Sequence, residues 1–178
     1  MSGLVSTGVR KLAAAAAVAV ALAAGPGYTT APQAAGPEKG RDDRGGNTSV
    51  AARLGGFMGI FNFLDRFAVP AELADPEIAP FFANLTETPG DIETCLAMLL
   101  DHDLGGSSPH NGFIVPATGH QCRSSMSNIH RGRNIPDRII DKFIAIVGEQ
   151  AAFVGVADSD IAEVAKVLER YRGGVRNK

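Results

Sequence analysis

The chain has 178 residues, with 17 Lys and Arg against 19 Asp and Glu for a formal net charge of −2, and 45% of it is hydrophobic. That charge excludes a strongly basic nucleic-acid binder. Two cysteines and four histidines in no cage-like spacing exclude a structural zinc module.

In chain order, Arg10 and Lys11 precede an apolar run of Ala, Val and Leu from Leu12 to Ala24 that ends in small residues. Residues 1–24 are therefore read as a secretory signal peptide. The run falls short of the roughly 20 apolar residues a spanning helix needs, so no stable membrane span is expected after cleavage. Cleavage removes two of the 17 basic groups and no acidic one, leaving 15 against 19 and a net charge near −4. Residues 25–48 are Pro, Gly, Ala, Thr and mixed charges without apolar periodicity, the composition of a disordered tether. The expected destination is periplasmic or extracellular, where disulfides persist. Spacing alone leaves Cys95 and Cys122 open between a bridge and two thiols.

From residue 49 to 174 the pattern is that of an all-α domain, followed by a short tail, 175–178. Phe57, Ile60, Phe61, Leu64 and Phe67 follow the spacing of one buried helix face. Pro70 is expected to end or kink that helix, and a short helical turn fits Pro76 to Phe82. Asp91 to Leu104 reads as a helix stopped by Gly105-Gly106. The Gly/Pro-rich stretch Ser107 to Gly119 reads as a long loop. Two stronger helices close the chain, Ile135 to about Gly155 and Asp160 to Arg172. The second has Asp160 and Glu163 as a capping box and Gly173-Gly174 as its stop.

Several segments in order carry a family likeness: Arg53-Leu54-Gly55-Gly56, the run Leu73-Ala74-Asp75-Pro76-Glu77-Ile78-Ala79-Pro80-Phe81-Phe82, Leu104-Gly105-Gly106, Pro109-His110-Asn111-Gly112, and Met126 to Ile135 around His130. Together they resemble a truncated haemoglobin of the group 1 type, over about Ser49 to Gly174. The resemblance implies two antiparallel helix pairs, 2-over-2, around a haem pocket, with the loop after Leu104 longer than the family usually has. It implies haem b as cofactor and His130 as the proximal ligand to its iron. No Cys-x-x-Cys-His is present, so c-type attachment is excluded.

A haem needs one strong axial ligand and otherwise an apolar slot, because a neutral imidazole suits iron and the porphyrin is mainly hydrophobic. Met126, one turn before His130, is expected below the ring, and by resemblance Phe82 wedges against its face. Phe67, Ile92, Leu96, Leu99, Leu100, Ile129, Phe143 and Val147 complete the expected wall. Each of these also suits an ordinary helical core. Where many relatives carry a distal tyrosine, this chain has Ala68, or Val69 if Pro70 marks a one-residue insertion. Ile92 and Leu96 stand where a distal polar group is common, so the distal side is expected to be apolar. His102, His110 and His120 are the candidates for a sixth ligand, and Arg123, Arg131 and Arg133 for propionate partners.

The expectation is thus a protein that binds a diatomic gas reversibly, with an electron-donor reductase as a possible partner and no catalytic triad or phosphate loop. A different class stays open: a haemless globin-shaped module for exported binding or sensing. A third reading, peroxidase-like activity, would need a distal acid–base residue supplied by the long loop.

Overall fold

Among the described residues, side-chain caps open the helices that follow Ser49 and Thr88. The Ser49 hydroxyl accepts from the Ala52 amide at 3.2 Å and starts α1 (Val50–Arg53). The computed structural model describes residues 48–83 and 85–178, all within the unit Arg44–Lys178. The expected signal peptide, and the tether up to residue 47, lie outside the described residues.

After α2 (Gly56–Phe63) the helix neither ends nor breaks at Pro70. A π turn over Leu64–Ala68 leads directly into α3 (Val69–Ala74), with Pro70 in its first turn. The Val69 amide donates to the Leu64 carbonyl five residues back, a wider turn than the α-helix allows. In a straight α-helix Pro70 would press its ring on the Arg66 carbonyl; the widened turn just before it lets the chain run on.

Asp75 then accepts from the amides of Glu77 (2.9 Å) and Ile78 (3.2 Å), closing the turn into α4 (Ala79–Phe82). The next helix, α5 (Pro89–Asp103), starts two residues before expectation because Thr88 and Asp91 form a capping box. The Ser107–Gly119 stretch is not structureless. Residues 112–122 fold back on themselves, with Val115 donating to His120 at 2.8 Å and Cys122 to Phe113 at 2.8 Å. A Cys95–Cys122 disulfide, Cα–Cα 5.2 Å, fixes this arm to α5.

Short α6 (Met126–Ile129) precedes the long pair α7 (Asp137–Phe153) and α8 (Asp158–Val175). The capping box expected at Asp160 does not form. Helix α8 opens earlier, at Ala157, so Asp160 falls inside the first turn, buried, where Arg53 holds it through Nη2 at 2.5 Å and Nε at 3.0 Å. Gly173-Gly174 does not stop α8 either, because α6 packs against that turn.

Two antiparallel pairs result, α2 with α5 and α7 with α8. Their common core holds Ala51, Ile60, Leu64, Ala97, Leu100, Val147 and Leu168, and a second cluster, Ile78, Ile135, Ile139 and Ile140, joins α4 to α7. Among the described residues no helix is long and apolar enough to cross a membrane. One buried side chain has no counterpart to satisfy it: Glu72 of α3 is 1% exposed and its Oε1 has no hydrogen-bond partner among the described residues. Burial pushes its carboxyl up to about 9.

Candidate functional site

A cavity of about 420 Å³ opens between α4, α5, α6, α7 and α8, within the range of small-molecule and cofactor clefts. His130 stands at its edge as the C-cap of α6, half-buried. Its Nδ1 lies 2.9 Å from the Met126 carbonyl. A carbonyl can only accept, so Nδ1 carries the hydrogen and Nε2 keeps a lone pair, the arrangement by which ligating histidines are oriented. Burial lowers the basicity of the ring, and Arg133 adds to this, against the opposing bond to Met126. The imidazole is thereby favoured in the neutral form a metal requires.

Packing on α8 sets the position of α6. A Cβ on Gly174 would come 2.5 Å from the Met126 Cβ, so only glycine lets the two helices approach this closely. Past His130, the amide of Asn134 donates to the Lys178 carbonyl at 3.1 Å and that of Asn177 to Ile135 at 3.0 Å, which ties the C-terminal tail beneath the same segment.

Of the residues singled out from sequence, Phe82, Ile92, Leu96, Leu99, Met126, Ile129, His130 and Phe143 all line this cavity. Phe67, Leu100 and Val147 do not. Leu100 and Val147 face the common core and a second cavity of about 460 Å³ between α2, α5, α7 and α8. Phe67, carried round by the π turn, stacks on Phe63 at 6.4 Å and meets Phe153 at 6.5 Å. Ala68 and Val69 are buried in the core and line neither cavity.

Sequence reasoning missed Ile78, Ile139, Ile140 and Tyr171 on the wall. The first three lie on apolar stripes that periodicity can find but not orient. The Tyr171 hydroxyl donates to Asp103 at 2.7 Å, and burial raises its phenol.

The rim is polar. His120, Arg123 and Arg133 line it with Glu87 and Asp91, whereas Arg131 lies outside and bonds Asn128. Asp91 accepts from Thr88 and, at 2.5 Å, from Thr118, which pins the folded-back arm at this edge and holds the carboxyl below its usual range. His120 is the single member of the histidine trio that reaches the cavity. His102 and His110 pair with each other at the far end of α5, ring centres 4.9 Å apart.

No protein-family profile and no curated protein matches this chain. Solved structures do. The truncated haemoglobin of Tetrahymena pyriformis, Fe(III) form, is 24% identical over 73% of this chain and 99% of its own, with a TM-score of 0.60. The 2/2 haemoglobin of Synechococcus sp. PCC 7002, in the cyanomet state with covalently attached haem, is 20% identical over 73% and 99%, with a TM-score of 0.59. THB1 of Chlamydomonas reinhardtii is 20% identical over 71% and 95%, with a TM-score of 0.51. The described domain has the truncated haemoglobin fold.

Proposed function

We propose that this protein binds haem b in the cavity beside His130 and uses it to bind a diatomic gas reversibly. The observation that carries this is the His130 ring: its Nδ1 is committed to the Met126 carbonyl, which leaves Nε2 with a lone pair, and the residue lines a cavity of cofactor size. The other residues suit the group. Phe82, Leu99, Ile139 and Phe143 offer the apolar walls a porphyrin needs, and Arg123 and Arg133 stand at the rim where its propionates would find cations.

When bound, haem iron would supply the gas-binding chemistry; the chain's own residues orient the ligand, exclude water and set the polarity around it. Ile92 and Leu96 on α5 offer no hydrogen-bond donor and Tyr171 is committed to Asp103, while His120 lines the cavity with the rim cations Arg123 and Arg133. Oxygen affinity should therefore be weak beside that of tyrosine-bearing relatives, since one missing hydrogen bond is worth about 1 kcal/mol or more. Carbon monoxide, less polar when bound, would lose less. An electron donor that keeps the iron reduced follows as a partner, and no catalytic role is proposed.

Export to a periplasmic or extracellular space belongs to the same reading. It is supported by Arg10-Lys11 ahead of the apolar run and by the Cys95–Cys122 bridge, which an oxidising compartment preserves.

Haem titration of the purified protein and of His130→Ala, read in visible absorption, tests the proposal. One haem per chain with a Soret band that shifts or collapses in the variant is expected. The absence of saturable uptake by the wild type would instead favour a haemless module.

A further inference from the structure

His102 and His110 take no part in the cavity, yet they are held together. Both are exposed, with ring centres 4.9 Å apart and planes tilted by 46°. The framework beneath them is built from α5 outward. Gly106 sits against the buried Asp101 carboxylate so tightly that a Cβ there would lie 2.2 Å from Oδ1, and its amide donates to the Asp101 carbonyl at 2.7 Å. Asp101 Oδ2 accepts from the Ser108 amide at 2.9 Å, and the Ser108 carbonyl meets His102 Nδ1 at 3.0 Å. That carbonyl puts the hydrogen on Nδ1 and leaves a lone pair on Nε2, the second-sphere arrangement that orients ligating histidines. Among the described residues neither this Nε2 nor either ring nitrogen of His110 has a hydrogen-bond partner.

The separation fits one shared ion. Metal–nitrogen bonds of about 2.0–2.1 Å, plus about 1.1 Å from nitrogen to ring centre, place each centre about 3.2 Å from the metal. At ligand angles of about 90–110° two such centres stand about 4.5–5.2 Å apart, and 4.9 Å falls inside that interval. We propose that His102 and His110 form a surface site for a first-row dication, Cu²⁺ before Zn²⁺, with water completing the coordination. Imidazole suits both ions and copper heads the affinity order. Among the described residues no third His, Cys, Asp or Glu joins the pair in a group that could hold a metal ion, so the site has two protein ligands and open positions. It stands apart from the cavity and does not depend on the haem proposal.

The test is a Cu²⁺ titration of the purified chain, with affinity from competition against a chelator and ligation from electron paramagnetic resonance. Wild type, His102→Ala, His110→Ala and His120→Ala are compared, with circular dichroism confirming that the variants fold. The expected result is one copper bound through two nitrogens, at least tenfold weaker in either His102→Ala or His110→Ala and unchanged in His120→Ala. Equal affinity in His110→Ala, a requirement for His120, or no stoichiometric binding by the wild type would overturn the proposal.

Discussion

Gly174 and Met126 are in such close register that α8 acts as the seat of the four-residue helix leading to His130. A helix this short has too few internal bonds to hold its own geometry. Gly174→Ala should therefore cost about 1–3 kcal/mol by overpacking, even though alanine is the better helix former by about 1 kcal/mol. Haem affinity should fall with it as Met126 and His130 shift. Denaturant midpoints and haem titrations of the variant check both effects, and a stabilised variant with unchanged haem uptake would show that α6 does not depend on this seat.

Glu72 gives the fold a pH dependence of unusual sign for a carboxylate. Its proton is held more tightly in the folded chain, up to about 9, than at the ordinary value of 4.5. Stability from this group is thus complete below about pH 4.5 and is lost as pH rises toward 9, by at most about 1.4 kcal/mol per pH unit. Glu72→Gln keeps the shape without the charge. It should be the more stable protein at about pH 8, by up to a few kcal/mol, and its unfolding free energy should be flatter with pH. Parallel curves for the two proteins would refute the assignment.

The disulfide closes a separation of 27 residues, for which unfolded-chain entropy gives about 3–4 kcal/mol. Cys95→Ser with Cys122→Ser should lose about that much. The arm carrying Thr118 and His120 should loosen with it. Hydrogen exchange at the Val115 and Gly119 amides reads the arm, and reductant should bring the wild type to the double variant's stability.

Leu96 lines the cavity from α5. If haem occupies that cavity, Leu96→Gln introduces a donor there and should slow oxygen dissociation about tenfold, the kinetic equivalent of about 1.4 kcal/mol. Stopped-flow displacement of oxygen by carbon monoxide measures it. An unchanged rate would place the gas elsewhere along the cavity.

Periodicity and order of motifs made the helices legible, and with them much of the cavity wall. Ile92, Leu96 and Leu99 face one way because α5 is regular and capped at Thr88. Leu100, one residue on, turns to the core, a distinction of about 100° that a list of apolar residues does not contain. Asp160 has the local signature of a cap but is claimed by Arg53, 107 positions away in the chain. The Gly173-Gly174 pair likewise carries the local signature of a stop, while the use of Gly174 is set by Met126. The pairing of His102 with His110 comes from Asp101 and Ser108 folding the loop back, which no spacing rule encodes.

The π turn at Leu64–Ala68 holds one more residue than the α turn it replaces. An extra residue inside an uninterrupted α-helix would rotate everything after it by about 100°; confined to one wide turn, it leaves both flanks in their own helical frame. A helix that widens in this way takes up one residue, buries Ala68 and Val69 side by side and runs through Pro70 without ending.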